Sequence, residues 1–448
     1  MSKRLLLTIL IFAGLILGAL IGQFMLFDPQ ASIEKVNQTV GFFELAGKYV
    51  FIRPLMLIVV PLVFTSVLTG VVSIGDPKKL GLLGGATLAF YVITMLMAVG
   101  VGVTLGATTK PGVGIDQALI ASTQVAGEER VESIKQKQAS EGGGEGIGAA
   151  WKKILDQMIP DNFLKAGAEG QALSIITATM LLGIGLVAVG DRAGPFVGAV
   201  ESLHEALMTL VRWIIWLMPI GVMFLMAGAV GRTGIHAMFA SLAKYVVVVI
   251  IGLGIHAFIT LPVVLFLFTK TNPYKFIWNM RPALLMAFGT ASSMATLPVT
   301  IETARDYGGC SKRATGLVLP LGATVNMDGT ALYQGIAVIF MFQAFGYELH
   351  LAEYLVIVLT ATLSAVGAAG VPGGSLATIM IIIAAVNTTL AGTGKDPLPA
   401  EAIGLIIGVD RILDMCRTMV NVLGDSVGAR IITRLAPDLE ESRERAFA

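Results

Sequence analysis

Charge is what this sequence has least of. Asp, Glu, Lys and Arg make up 14% of its 448 residues, against about 25% in a soluble globular chain. With a hydrophobic content of 55%, that scarcity excludes an ordinary soluble domain. Net charge is +1, so nothing in the balance calls for nucleic acid or another polyanion. Cysteine is nearly absent. Cys310 and Cys416 lie in or near apolar segments, which gives neither a disulfide framework nor a zinc spacing. The four histidines (204, 236, 256 and 350) are scattered and offer no histidine-built metal or catalytic cluster.

Long hydrophobic runs take the place of charge. Spans at 5–27, 49–74, 81–107, 170–190, 203–230 and 238–268 are each near the ~20 residues that a helix needs to cross a bilayer. The first is too long for a signal-peptide core and lacks a small-residue cleavage site, so it reads as a membrane helix. Gly100, Gly102 and Gly106 in the third suit close helix packing. Lys3, Arg4, Lys78, Lys79, Arg192, Lys270, Lys275 and Arg281 fall on one side if each span crosses once, as do Arg430, Arg434, Arg443 and Arg445 of the tail. The positive-inside rule makes that side, and both termini, cytoplasmic. Residues 110–150 carry Glu128-Glu-Arg-Val-Glu132, Lys135, Lys137 and Glu141-Gly-Gly-Gly-Glu-Gly146. They read as a solvated, mobile extracytoplasmic connector without a direct role.

Beyond residue 270 the apolar spans become short and broken. Ala291-Ser-Ser-Met-Ala-Thr-Leu-Pro298 interrupts one, and Gly367-Ala-Ala-Gly-Val-Pro-Gly-Gly-Ser375 another. Each break precedes a helix with a polar patch: Gly322–Thr330 after the first, Asp410–Asp425 after the second. A proline kink in a spanning helix is the simpler account of either break alone. Two breaks in corresponding places point instead to re-entrant hairpins, an inverted repeat and a site near the midplane.

The second patch is a stripe. At about 100° per residue, Asp410, Arg411, Asp414, Arg417, Thr418, Asn421 and Asp425 share an arc of roughly 120°. Each charge at the bilayer centre costs at least ~2.5–3.5 kcal/mol, so this face must line protein or a wet cavity. Asp414 and Arg417, at i and i+3, either neutralise each other or divide to hold a ligand's ammonium and carboxylate. Asn326 and Asp328 are hard oxygen donors two apart, and Gly329 permits an unwound turn that aims both at one pocket. Asn421 and Asp425 form a second such pair. Both pairs suit a cation, although carboxylates hydrogen-bonded only for packing remain the alternative. An intramembrane hydrolase built on Ser292 or Ser293 with an aspartate is a third class to weigh. No histidine or lysine is expected near these motifs to act as a base, so an enzyme is not expected.

Ser292-Ser293 to Thr296-Leu-Pro298, Asn326-Met-Asp-Gly-Thr330, Ala369-Gly-Val-Pro-Gly373 and Asp414 to Asp425 together resemble the glutamate transporter homologue family. These are the dicarboxylate/amino acid:cation symporters, which include excitatory amino-acid transporters. The likeness is dense over 273–434 and looser over the first 270 residues. It implies an all-α polytopic membrane protein with eight transmembrane helices and two re-entrant helical hairpins, at 273–307 and 352–390. The hairpins belong to inverted repeats in an elevator-type transporter. Scaffold helices one and two would occupy 1–75, transport-domain helix three 76–109, an extracytoplasmic loop and linker 110–168, and scaffold helices four and five 169–232. The rest of the transport domain would occupy 233–448. Family members are homotrimers in membrane lipid, here the cell (inner or plasma) membrane, with no cofactor and with Na+ as the coupling ion.

Carried over by position, Arg417 would meet the substrate's side-chain carboxylate, Asp414 its amino group and Asn421 its main-chain carboxylate. Ser292, Ser293, Met327, Thr330, Ser375 and Thr418, with Val371 and Pro372 at the second hairpin tip, would complete the pocket. One sodium site would take Gly322, Asn326, Asn421 and Asp425. Another would take Tyr91, Thr94, Asn326 and Asp328, and a third the backbone of Thr324, Ala365, Val366 and Ala368. The sequence departs from the family at several points. Met294 stands where a third serine is usual, and Met95 where a small hydroxyl residue is common. Ser375 replaces a typical glycine. Ala291 stands where microbial relatives carry an arginine, and Arg411 is expected to replace that arginine in space, outside the substrate contacts.

The resulting expectation is sodium-coupled uptake of L-aspartate or L-glutamate, with coupling if the second hairpin closes only on substrate and ions together. Proton coupling by the same carboxylates is the rival within the class. A neutral amino-acid carrier would leave Arg417 without a carboxylate. A C4-dicarboxylate would meet repulsion from Asp414. An anion channel would conduct without saturable accumulation.

Overall fold

The computed structural model describes residues 3–28, 33–75, 77–116, 120, 127–134, 136, 159, 161–168, 171–233, 235–366, 375–390 and 396–435. Among these, every regular element is helical. The first part holds α1 (Lys3–Ile21), α2 (Ile33–Gly47), α3 (Arg53–Ile74), α4 (Pro77–Thr109), α5 (Phe163–Ala168), α6 (Ala172–Val189), α7 (Gly194–Ile215), α8 (Met218–Thr233), α9 (Ile235–Ile255) and α10 (Leu261–Thr269). Five stretches are long and apolar enough to cross a membrane: Ile9–Leu26, Gln38–Ile74, Leu80–Thr109, Leu173–Ile215 and Leu242–Thr269. Phe24, Leu57, Trp213 and Phe268 point outward from them, as suits helices solvated by lipid.

Three local expectations are revised. The apolar run 203–230 is not one helix, because α7 ends at Ile215 and α8 begins at Met218. Pro219 has no N–H, and its ring excludes the Ile215 carbonyl from a continuing ladder. Trp216 N and Leu217 N turn back instead to Trp213 O and Ile214 O, at 3.2 and 2.9 Å. The 110–150 connector is not wholly solvated either. Its stretch 127–134 is helical, and Val131 and Ile134, three apart on one face, are buried in the core. Lys135, Lys137 and Glu141–Gly146 lie outside the described residues, as do Arg443 and Arg445. Of the three α4 glycines, Gly102 abuts the Leu332 carbonyl and Gly106 the Ile339 side chain, whereas Gly100 meets open space.

The second part is a set of broken helices around one central rod. It holds α11 (Pro273–Thr290), α12 (Ser293–Asp306), α13 (Lys312–Val325), α14 (Asp328–Ala344), α15 (Leu351–Val366), α16 (Ser375–Leu390) and α17 (Gly404–Ile432). α17 packs against α4, α9, α11, α12, α13 and α14, and α4 lies along α14. Elsewhere, α1 and α2 pack on α8, and α3 packs on α6, α7 and α13.

The first hairpin forms from its own residues. Asn272 Oδ1 accepts from Lys275 N at 3.1 Å and Pro273 takes the first turn, so α11 starts there. It stops at Ala291, which is left-handed with φ +50°, a conformation that costs an L-residue about 1–2 kcal/mol. Ser292 Oγ accepts from Ala295 N at 3.2 Å and opens α12. The Thr290 and Thr296 hydroxyls meet at 3.2 Å across the turn. A buried tip must satisfy its own polar groups, and these three hydroxyl residues do so. In the second hairpin α15 and α16 pack together. Its tip lies outside the described residues, and Ala368, Val371 and Pro372 with it.

Carbonyls released by proline find side-chain donors. Pro262 cannot bond Phe258 O, which accepts instead from Tyr274 OH at 3.1 Å. Pro282 leaves Trp278 O to Arg281 Nη1 at 2.7 Å. Both carbonyls are thus satisfied within the protein.

Candidate functional site

The helix break between α13 and α14 builds the site. Asn326 (φ −93°, ψ 100°) and Met327 (φ −121°, ψ 54°) are not helical. The break turns Asn326, and Asp328 at the start of α14, towards α17. Gly329 permits the approach, since a Cβ there would run into the Arg417 carbonyl. A Cβ at Gly424 would likewise run into Asp328 Oδ2. The two glycines let the start of α14 rest directly on α17.

Arg417 is 1% exposed. Its Nε donates to Asp414 Oδ1 at 2.9 Å, and its Nη1 donates to Asp410 Oδ1 at 2.9 Å. Tyr333 OH, from α14, donates to the same Asp410 oxygen at 2.8 Å. The guanidinium carbon stands 4.3 Å from the centroid of the Tyr333 ring, within range of a cation–π contact. Of the three guanidinium nitrogens, Nη2 has no partner among the described residues. Thr418 Oγ1 donates to the Asp414 carbonyl at 2.7 Å, so its hydroxyl is turned to its own helix.

One turn further, Asn421 joins α17 to the break. Its Oδ1 accepts from Gly329 N at 2.7 Å and Thr330 N at 3.2 Å, two of the donors that a helix start leaves without intrahelical partners. Its Nδ2 donates to Thr330 Oγ1 at 3.1 Å and to Met327 Sδ at 3.3 Å. Asn421, Thr330 and Met327, expected in one pocket, are thus in contact.

Below them lie oxygens with few partners. Asn326 Nδ2 donates to Asp425 Oδ1 at 2.9 Å. A Cβ at Gly322 would meet both Asp425 Oδ1 and Tyr91 OH, so α13, α17 and α4 converge here. Tyr91 OH donates to Val318 O at 2.6 Å, and Thr94 Oγ1 to Tyr91 O at 3.2 Å. Asn326 Oδ1 and both oxygens of Asp328 are buried without a hydrogen bond among the described residues. Buried carboxylate oxygens left this way are expensive. Several hard oxygens around one locus are the donor set that an alkali or alkaline-earth cation takes.

The other expected residues sit around this core. Ser292 and Ser293 are buried at the start of α12, which packs on α17. Ser375 is buried at the start of α16, and its Oγ has no partner among the described residues. Thr324 Oγ1 donates to Leu321 O at 2.9 Å. Ala365 is buried, and Val366 half-buried, at the end of α15. Arg411 is half-buried and has no ion-pair partner among the described residues.

Four residues were missed from sequence. Asp410 was counted in the stripe without a role, yet it holds Arg417. Tyr333 reads as core in an apolar helix. Gln334 Nε2 donates to Thr378 Oγ1 at 2.5 Å, tying α14 to α16. His256 places Nε2 3.3 Å from Asp328 Oδ2, which corrects the expectation that no histidine lies near these motifs. Neither His256 nitrogen makes a hydrogen bond among the described residues, so the pair is close without being aligned. An ionisable residue inside an apolar span was the available signal. Among the described residues no group of three or more His, Cys, Asp or Glu side chains gathers around a metal position.

The description "Sodium:dicarboxylate symporter family" fits residues 7–435 of this chain. The neutral amino acid transporter B(0) of Oryctolagus cuniculus is 34% identical over 417 residues, covering 87% of this chain and 73% of the relative. The excitatory amino acid transporter 4 of Mus musculus is 34% identical over 450 residues, covering 89% and 78%. The excitatory amino acid transporter 3 of Mus musculus is 32% identical over 456 residues, covering 95% and 84%. These relatives are transporters rather than enzymes, and the apolar helices make this chain a multi-pass membrane protein of the same kind. Broken helices around a polar central rod, and a family likeness from end to end, lead to one conclusion: the chain belongs to the sodium:dicarboxylate symporter family of sodium-coupled amino-acid and dicarboxylate transporters.

Proposed function

We propose that the protein takes up acidic amino acids, L-aspartate or L-glutamate, together with sodium. The observation that carries this is Arg417, a buried guanidinium beside the Asp414 carboxylate whose Nη2 has no partner among the described residues. An amino acid would place its ammonium on Asp414, its main-chain carboxylate towards Asn421 and Thr330, and its side-chain carboxylate on Arg417. Ser292, Ser293 and Ser375 lie on the two hairpins that would close around it. Sodium would sit among Asn326, Asp328, Asp425, Tyr91 and Thr94, where buried oxygens want a cation. The backbone of Gly322, Asn421, Thr324, Ala365 and Val366 would give further ligands. A membrane potential supplies about 2.3 kcal/mol per charge per 100 mV, before any concentration gradient.

The family architecture goes with this reading: eight membrane helices, two re-entrant hairpins and a homotrimer in the cell membrane with cytoplasmic termini. A scaffold of residues 1–75 and 169–232 would hold a sliding transport domain of 76–109 and 233–448. The packing of α1 and α2 on α8, and of α4 and α14 with α17, supports such a division. Arg411 would stand in for the arginine that some relatives carry at the first hairpin tip.

A neutral amino acid is the second reading, favoured by the relatives named neutral amino acid transporter B(0). The expectation that a neutral substrate strands Arg417 does not hold, because Asp410 pairs with it. Nη2 still wants an acceptor, and the acidic reading supplies one. Uptake of labelled L-aspartate into proteoliposomes, with an inward sodium gradient and then with only a proton gradient, tests both points. Sodium-driven accumulation of L-aspartate is expected. Accumulation by the proton gradient alone would remove sodium, and uptake confined to serine or alanine would remove the acidic substrate.

A further inference from the structure

Away from the site, α12 and α13 meet α3 and α7 in a close and partly polar contact. α3 packs on α7, α12 and α13, and α12 packs on α7. A Cβ at Gly316 of α13 would run into the Ser66 carbonyl of α3. Arg305, near the end of α12, is anchored on its own side by Nε, which donates to Thr315 Oγ1 of α13 at 2.7 Å. From there it reaches across. Nη1 lies 2.7 Å from His204 Nε2 of α7, and Nη2 donates to Ser66 Oγ of α3 at 3.5 Å.

The protons in this contact can be placed. A guanidinium only donates, so His204 Nε2 accepts and the ring proton sits on Nδ1. Nδ1 lies 3.1 Å from Thr65 Oγ1, whose hydroxyl donates to Leu62 O at 3.2 Å. Each bond in the chain then has one donor and one acceptor, and the buried imidazole is neutral. The same boundary also carries an ion pair, Arg212 Nε of α7 to Glu302 Oε1 of α12 at 3.0 Å, where the arginine side chain is 54% exposed. The two contacts differ in what parting them costs. An exposed ion pair separates into water at little cost. A buried one would leave two charges without partners, whereas parting Arg305 from a neutral ring leaves one.

We propose that Arg305 and His204 form a releasable clasp between the first hairpin and the α3–α7 face, and that its parting sets the rate of turnover. This rests on the division into a scaffold and a sliding transport domain proposed above. α3 and α7 would belong to the scaffold, and α12 and α13 to the part that slides. The neutral ring makes the clasp strong enough to hold the two parts in register and weak enough to open. Arg305 stands twelve residues along α12 from Ser293, a rise of about 18 Å. The clasp therefore acts on rate and leaves substrate affinity alone.

The test reads the maximal rate of sodium-driven L-aspartate uptake in proteoliposomes beside the L-aspartate dissociation constant of the same full-length protein. His204→Glu turns the neutral acceptor into a charged one and should slow uptake by about 10-fold, the scale that separates a neutral acceptor from an ion pair. Arg305→Gln removes the cation and should speed uptake by about 5-fold. The dissociation constant should stay within about threefold in both. Combining His204→Glu with Arg305→Gln should abolish the slowing, because the pair causes it. Unchanged rates, a slowing that survives the loss of Arg305, or rate and affinity moving together would overturn the proposal. If His204→Glu does not fold, Arg305→Gln decides, and a rate no higher than wild type overturns the clasp. Uptake that persists with His204→Cys and Arg305→Cys bridged by a short bismaleimide would instead reject the sliding division. A wild-type protein that accumulates L-serine but no L-aspartate would reject the acidic reading, and the same rates are then compared with L-serine.

Discussion

The two ends of the α17 stripe solve opposite problems. At the Asp410–Arg417 end, charges of both signs are present and satisfy one another. At the Asn421–Asp425 end, Asp328 and Asp425 gather with no lysine or arginine paired to them among the described residues, and Asp328 and Asn326 keep oxygens without hydrogen bonds there. The first end is stable when empty and offers one open donor. The second is costly when empty and would be completed by a positive ion. A ligand that carries both charges suits the first end, and a bare cation suits the second. Asn421 stands between them, bonded to the start of α14 that carries both.

That contrast can be broken by mutation, end by end. The largest effect is expected from Arg417→Ala, which should weaken L-aspartate binding by at least ~100-fold. Apparent sodium affinity without substrate should stay within about threefold, because the Arg417 side chain bonds Asp410 and Asp414 and not Asn326, Asp328, Asn421 or Asp425. Titration calorimetry with each ligand checks both; unchanged L-aspartate affinity would make Arg417 structural. Asp328→Asn should do the reverse, lowering sodium affinity by about 10-fold or more through the lost carboxylate. Aspartate would weaken only through linkage, so excess sodium should restore it. An L-aspartate loss that sodium cannot repair would erase the distinction between the two ends.

Gly424→Ala attacks the seam. Its Cβ would push Asp328 aside, with a stability loss of about 1–3 kcal/mol for overpacking. The midpoint of thermal unfolding in detergent should fall, and the fall should be greater when sodium is present. A sodium-independent shift would place Asp328 away from the ion. Met327→Leu is the mildest change. It removes a weak sulfur acceptor at 3.3 Å from Asn421 and conserves volume, so less than about 1.5 kcal/mol is expected in the same assay.

Much of this was legible in the residues. Period 3.6 put Asp410, Asp414, Arg417, Asn421 and Asp425 on one face, and α17 is that helix. The breaks at Ala291 and at Asn326-Met327 fall where serine, threonine and glycine predicted them. What Asp410 does was not legible. Seven residues separate it from Arg417, a rise of about 10.5 Å. An arginine closes that distance only by lying along the helix, and Tyr333 of α14, supporting it from below, is 77 positions away from Asp410. His256 failed for the same reason. Its partner Asp328 belongs to another helix, and no local pattern links them. The misplaced span 203–230 had a local cause, since hydropathy ran through Pro219 without weighing its missing donor.

The sequence by itself determined that the chain lives in lipid, that its second part is broken where backbone must be buried, and which polar residues share a face. Those are properties of composition and of single helices, fixed by solvation and by 3.6 residues per turn. Only the tertiary structure decided how the charges are shared. Arg417 could have closed on Asp414, and helical spacing alone favoured that. A third carboxylate and a tyrosine from a neighbouring helix pull it the other way, because electrostatic pairing in a dry interior depends on which groups the packing brings within 3 Å of each other rather than on their order in the chain.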